Sequence, residues 1–470
     1  MSRFIKIFLL LAFTAQFADA QMKTIDIPGV RSPDDIKVDR MSNGSYVAAY
    51  SANGKTSLAF YNENFELQKK IDLQYAWGKA GHFVFTSDGD VLCIGFPKAP
   101  DESAETDFNF YVIKTNGDQL TTKIFSNVKI TSLTMKGSQI FMTTYSKREN
   151  ALWYHLFDTK LNAQAEKSFV LDKKSYIDDV SAAFVTSSEV LLAYSFTAVD
   201  NGTFTHNIKV AGFKTSDGTQ FINMRREMEN AEYSFNYIGK QVNGTYVVIG
   251  SYSFSSLFSG GVLENSGTFR LVINSAGDKQ SYKAKSFKDL LPQSNDKSTE
   301  LYIGVLAGTG KRLANDFVWP HGDGFKIIMH LYSNRYVVIT DSALNMTDQH
   351  SLRENDNDKN EFIYEEVLCK PSAASTSAFV YMADSREGVP AVFATTLDEK
   401  HPEFKEWLKL DGENNAPQQK WTNDNNSEEK SYDLKNCNPS LVPSDASHLV
   451  LLDDANKDAD GARIFVYSVK

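Results

Sequence analysis

Carboxylates recur at one place in the repeating pattern of this chain. Asp34 and Asp35, Asp178 and Asp179, Asp316, and Glu365 and Glu366 each stand just ahead of an apolar run that opens a hairpin. Glu232 lies two residues further out in its own unit, and His82 takes a nearby slot in another. Acids far apart in sequence but alike in position meet only if the fold wraps its units about a common axis. Converged carboxylates would take a cation, an amine or a polyhydroxylated ligand, and crowding and burial would raise their pKa values. The competing reading is that acids at strand entries cap turns and face water.

A second group, Asp454, Asn456, Asp458 and Asp460 followed by Gly461, places oxygen ligands at alternate positions, as at the start of a calcium loop. The twelfth position counted from Asn456 is Tyr467 rather than Glu. A structural Ca²⁺ is therefore the candidate cofactor here, with a solvated hairpin tip as the alternative, and no other cofactor is expected. Gly304 to Arg312 fails as a phosphate loop, because the Gly spacing before Gly310-Lys311 is wrong and Arg312 stands where Ser or Thr is needed. Of the three cysteines, Cys93 lies in an apolar run and reads as a buried, inert thiol. Cys369 and Cys437 are free to pair in an oxidising compartment. Trp77, Trp319, Trp407 and Trp421 sit near unit junctions or loops, where they either stack on a ligand or pack between units.

The elements that must position these residues are hairpins. Phe108 to Phe125 alternates apolar residues into Asn116-Gly117, and a second extended run follows. Asn-Gly between β-rich runs is the strongest short hairpin signal, the expected turn being a type I′ with φ above zero at both central residues. Related outer hairpins start near Leu58, Tyr154, Lys209, Phe269, Tyr336 and Ala391. Each has a polar second run, as an exposed outermost strand should. Before each lies an inner pair of small apolar strands, clearest at Ile36 to Ser51 and Tyr237 to Ser251, which turn on Asn43-Gly44 and Asn243-Gly244. The segment Gln418 to Asn436, rich in Asn, Ser and charge, reads as a long loop, and Ser286 to Glu300 as an insertion with one short helical possibility.

Four strands in about 50 residues, repeated, is the arithmetic of an all-β, single-domain β-propeller. Eight four-stranded blades are expected, with seven as the alternative. The lone strand at Met22 to Pro28 completes the last blade beside Arg463 to Lys470.

Residues 1–20 read as a signal peptide: Arg3 and Lys6, a short apolar core at Ile7 to Phe13, and the small-x-small site Ala18-Asp19-Ala20. Residues 21–470 are then the propeller domain of a secreted or periplasmic protein. No later stretch is long and apolar enough for a transmembrane helix. The 470 residues carry a formal net charge of -10, which disfavours nucleic acid as a partner. The signal ending in Ala18-Asp19-Ala20-Gln21, with the unit pattern, resembles secreted bacterial β-propeller proteins such as those common in Bacteroidota. No unit carries a WD or kelch consensus, so the resemblance implies fold and compartment and brings no catalytic residues with it. The expected function is a binding or interaction module, using the propeller mouth and rim loops for a carbohydrate, peptide or protein ligand. The alternative is a glycan-active hydrolase or lyase working through paired mouth carboxylates.

Overall fold

The structure of the chain is a computed structural model. The structure describes residues 21–290 apart from 29, 31–35, 42, 53–54, 74–83, 90, 98–105, 115, 117, 173, 201–202, 229–230 and 254–265; residues 314–351 apart from 332–333; and, past 351, the strands named below.

The chain is all β. After β1 (Gln21–Pro28), β2 (Ile36–Arg40), β3 (Tyr46–Ala52), β4 (Lys55–Tyr61) and β5 (Leu67–Leu73) form one antiparallel sheet in that order. Next come β6 (Val84–Asp88), β7 (Val91–Pro97), β8 (Thr106–Lys114), β9 (Gln119–Lys136), β10 (Gln139–Ser146), β11 (Ala151–Asp158) and β12 (Ala163–Val170), hydrogen-bonded in sequence order. The 18-residue β9 joins two sheets. It pairs with β8 up to Val128 and with β10 from Lys129, and the left-handed Asn127 (φ 52°) sits at the handover. Then follow β13 (Tyr176–Phe184), β14 (Glu189–Asp200), β15 (Thr203–Lys214) and β16 (Gln220–Met228). The next sheet is β17 (Glu232–Lys240), β18 (Tyr246–Ser253), β19 (Ser266–Ile273) and β20 (Gln280–Ser286), trailed by the one-turn helix α1 (Phe287–Leu290). After it come β21 (Ala314–His321), β22 (Gly324–Leu331), β23 (Asn334–Thr340) and β24 (Met346–Ser351), then β25 (Lys370–Pro371), β26 (Ala378–Asp384), β27 (Ala391–Thr396) and β28 (Lys405–Lys409). The segment read as a long loop instead holds a hairpin, β29 (Lys420–Asn423) and β30 (Asn426–Ser431). The last strands are β31 (Ser440–Asp445), β32 (His448–Asp453) and β33 (Gly461–Ser468).

The final sheet takes the order β1-β33-β32-β31. The clasp expected from the orphan first strand therefore forms, with Thr24 opposite Phe465 and Ile25 opposite Ile464. It covers an edge of β33 that would otherwise present unpaired amides. Around the fold, first strands of successive sheets lie against one another: β31 by β2, β6 by β9, β9 by β13, β13 by β17, β17 by β21. Apolar cores fill the spaces between adjacent sheets. Ile25 and Ile27 of β1 pack with Ile36, Tyr46 and Ala59 of the β2–β5 sheet. Phe141 and Tyr154 pack with Tyr194 and Phe213 of the β13–β16 sheet, and Leu191 and Ile208 of that sheet pack with Val248 and Phe269 of the next. First strands at the centre, packed faces between sheets and exposed outer strands such as β5 and β12 make this a β-propeller.

The inner turns differ from the type expected. At Met41–Ser45 the Gly44 N–H donates to Met41 O (2.9 Å) and Met41 N–H to Ser45 O (2.8 Å). Gly44 is left-handed (φ 88°). The same two bonds form at Gln241–Thr245, where Gly244 (φ 83°) is left-handed and Asn243 is not, so that loop is a three-residue one, a type I turn closed by a G1 bulge, rather than a type I′ turn.

Candidate functional site

Among the described residues, the acids expected just ahead of the first inner strands lie within those strands. β13 begins at Tyr176 and β21 at Ala314, so Asp178, Asp179 and Asp316 are strand residues, and Glu232 is the first residue of β17. The reason is a β-bulge. Pairing of β13 with β14 slips between Ile177 and Asp179, leaving Asp178 as the extra residue. β17 slips between Phe235 and Tyr237, at Asn236. β21 slips between Asn315 and Phe317, at Asp316, and β9 slips opposite Thr143 and Thr144, at Thr131. A bulge reverses the phase of the in–out alternation, so an alternation count from the core side stops there and places the strand start too late. All four extra residues are polar, and three are seen to be held by a hydroxyl of the neighbouring strand. Thr131 Oγ1 lies 2.8 Å from Thr143 Oγ1, Thr197 Oγ1 donates to Asp178 Oδ2 (2.9 Å), and Ser251 Oγ donates to Asn236 Oδ1 (3.1 Å).

Three of the sequence-selected acids line one open pocket of about 480 Å³ at the entry ends of β13 and β17. β13 contributes Tyr176, Ile177, Asp178 and Asp179, and β17 contributes Glu232, Tyr233 and Ser234. The end of β18 adds Ser251, Tyr252 and Ser253. Two hydrogen bonds between sheets fix the walls. Asp179 Oδ2 accepts from the Phe235 N–H (2.8 Å), and the buried Ser195 Oγ donates to Tyr233 O (2.9 Å). Tyr233 and Tyr252 lie with ring centroids 6.4 Å apart, and Phe269 meets Tyr233 edge-on at 5.7 Å. Tyr176 is exposed at the rim.

Burial is the main force on both aspartates. It pushes the Asp178 carboxyl above the usual carboxylate range, against the Thr197 hydrogen bond and the His206 ring, and the Glu232 and Asp179 charges push the same way. Burial likewise raises Asp179, against the amides of Phe235 and Val180. Thr197 is fully buried and links onward to His206 Nδ1 (3.0 Å) on β15. With Asp178 ionised, the single Thr197 proton goes to the carboxylate, so His206 must donate from Nδ1. A chain of three polar groups thus runs from the pocket across the sheet.

Asp316 shares the bulge position on β21, two sheets on from Asp178. Asp34, Asp35, His82, Glu365 and Glu366 lie outside the described residues, as do Asp454, Asn456, Asp458 and Asp460 and the pair Cys369 and Cys437. Among the described residues no three His, Cys, Asp or Glu side chains stand close enough to hold a metal ion. Cys93 is fully buried beside Met135 (Sγ to Sδ 3.7 Å), and burial pushes its thiol up, as an inert core cysteine requires. Trp319 lies half-buried on β21. Sequence reasoning missed the tyrosines, the serines, Thr197 and His206. A tyrosine next to an acid at a strand entry, as in Glu232-Tyr233, was the available signal.

No family model matches the chain, and no curated protein matches it in sequence. Solved structures are similar in shape at low identity. The C-terminal WD40 domain of Sif2 aligns over 95% of this chain and 99% of that chain at 10% identity, with a TM-score of 0.46. The polysaccharide lyase Uly1 aligns over 81% and 91% at 8% identity (TM-score 0.43). The β-propeller domain of the Trilobed protease from Pyrococcus furiosus aligns over 82% and 98% at 9% identity (TM-score 0.39). At these scores they bear on neither ligand nor reaction, and the fold stands on the strand pairing above.

Proposed function

We propose that this protein is a binding module that takes a carbohydrate or peptide ligand in the pocket between β13, β17 and β18, outside the cytoplasm after residues 1–20 are removed. The observation that carries this is the pocket itself: three carboxylates and three tyrosines around about 480 Å³, a size suited to a small ligand. Two of the carboxylates, on the half-exposed Asp178 and Asp179, are partly withdrawn from water, which raises both above the usual carboxylate range. The frame is read as eight-bladed, since dividing β9 at Asn127 leaves four strands for each of eight sheets.

The test is a binding screen of glycans and short peptides on the mature chain, by calorimetry. Ser234→Trp, which fills the pocket, should abolish binding of any hit. A hit that binds Ser234→Trp unchanged overturns the pocket as the site.

One observation favours the second reading, a glycan-active hydrolase or lyase. Thr197, itself linked to His206, orients Asp178, and burial pushes that carboxyl above its usual range, the direction a general acid needs. Release of reducing ends or of an unsaturated product from a bound glycan, lost in Asp178→Asn while binding persists, would establish it. Binding without turnover leaves the module reading.

A further inference from the structure

We infer that the pocket selects a ligand bearing a protonated primary amine, seated between Asp178, Asp179 and Glu232 against the tyrosine walls. The inference rests on the proposed pocket and narrows its ligand class. Three observations lead to it.

The first is sign. The lining residues include three acids and no Lys, Arg or His. A cation seated among them is attracted by all three, whereas a neutral sugar gains nothing from their charge.

The second is spacing. A bare metal ion needs several oxygens within about 2.6 Å of one point. Among the described residues no such group of three exists, although three carboxylates share this cavity. Acids spread around a cavity suit a cation that brings volume and its own N–H donors. A primary ammonium has three donors and can reach three separate acceptors.

The third is the fixed geometry of the acceptors and walls. Oδ2 of Asp178 is held by Thr197 at 2.9 Å and Oδ2 of Asp179 by the Phe235 amide at 2.8 Å. The carboxyl groups are thus oriented before a ligand arrives, which lowers the cost of binding. Tyr233, Tyr252 and the rim residue Tyr176 add aromatic rings of the kind that attract organic cations and stack on a sugar or peptide frame.

An amine of this kind occurs on amino sugars and on peptides, so the experiment uses matched pairs that differ only in charge. One pair is the β-1,4-linked glucosamine disaccharide and its N-acetylated form. The other is a glycyl-lysyl-glycine peptide blocked at both ends and its Nε-acetyl-lysine form. Calorimetric titration at pH 7 is expected to show at least one amine probe binding about tenfold or more tighter than its acetylated partner. Asp178→Asn and Glu232→Gln are each expected to weaken it about tenfold, and binding should fall as salt rises. Which pair responds tells an amino sugar from a peptide amine. Asp178→Asn keeps the shape and the Thr197 contact, and melting curves confirm that each variant is folded.

If an acetylated probe binds as well as its amine partner and Ser234→Trp abolishes both, the amine inference fails and the pocket reading stands. If Ca²⁺ displaces the amine probe at micromolar concentration, the pocket is a metal site and the inference fails. If no probe binds, the amine inference fails, and if Ser234→Trp leaves binding intact, both fall together.

Discussion

Asp178 is a residue whose environment favours its neutral form, and that has a measurable sign. A carboxyl whose folded pKa is raised contributes stability that is fully present below its unfolded value and is lost as pH rises through the folded value. At neutral pH the ionised Asp178 therefore costs stability. Asp178→Asn keeps an acceptor for Thr197 and removes the charge. It should raise the unfolding free energy at pH 7 by up to about 1 kcal/mol, after allowance for solvent screening at this half-exposed site, with no gain near pH 3. Denaturant titrations at the two pH values check it. Glu189 shows the opposite sign. Burial alone would raise its carboxyl, but hydrogen bonds from Lys214 (2.6 Å), Lys240 (2.8 Å) and Tyr246 (3.1 Å) outweigh burial and lower it. Its contribution is present above the unfolded pKa and is lost as pH falls through the folded one. Lys240 and Tyr246 belong to the next sheet, so this acid joins two sheets of the ring. Glu189→Gln should cost roughly 1–3 kcal/mol at pH 7, and the difference from wild type should close on acidification below about pH 4.

At the scale of elements, three of the outer hairpins follow a local rule that alternation does not reveal. Asp158 Oδ1 accepts from the amides of Lys160 and Asn162, while the Asn162 side chain donates to Oδ2. Asp341 repeats this with Ala343 and Asn345, and Asn62 repeats the amide contacts with Asn64 and Glu66. In each loop the fourth residue is left-handed and apolar: Leu161 (φ 59°), Leu344 (φ 63°) and Phe65 (φ 56°), all buried. A left-handed leucine is strained, and burial of its side chain against the sheet offsets that strain. Asp158→Ala should lower stability by about 1–2 kcal/mol through loss of these bonds, measurable by denaturant midpoint. Leu161→Gly should also destabilise, although glycine relieves the backbone, because the buried side chain contributes more than the strain costs. The spacing Asp or Asn, two residues, Leu or Phe, then Asn or Glu is visible in the chain. It carries no glycine at the left-handed position, the usual mark of such a turn. The bulges were hidden for a related reason. They need a partner strand to define them, and one strand read alone shows only a break in alternation.

For the whole molecule, closure is the property to perturb. Ile27 of β1 is buried between the closing sheet and the β2–β5 sheet. Ile27→Asp should cost on the order of 3 kcal/mol or more, by putting a charge into that core. Removing residues 21–28 should leave β33 with a bare edge and promote self-association, visible by size-exclusion chromatography. A monomer with an unchanged melting curve would show that the clasp does not hold the ring.

What the amino-acid order determined unaided was the repeat: where most hairpins fall, which strands are polar outside and apolar inside, and that an unpaired first strand would meet the last. These follow from local alternation and turn chemistry, which need no knowledge of distant neighbours. What only the tertiary structure decided was the meeting of Asp178 and Asp179 with Glu232 and three tyrosines in one cavity. That depends on the bulge phase of each first strand, set by pairing with the next strand, and on how closely two sheets pack, set by contacts such as Asp179 with Phe235, 56 positions apart.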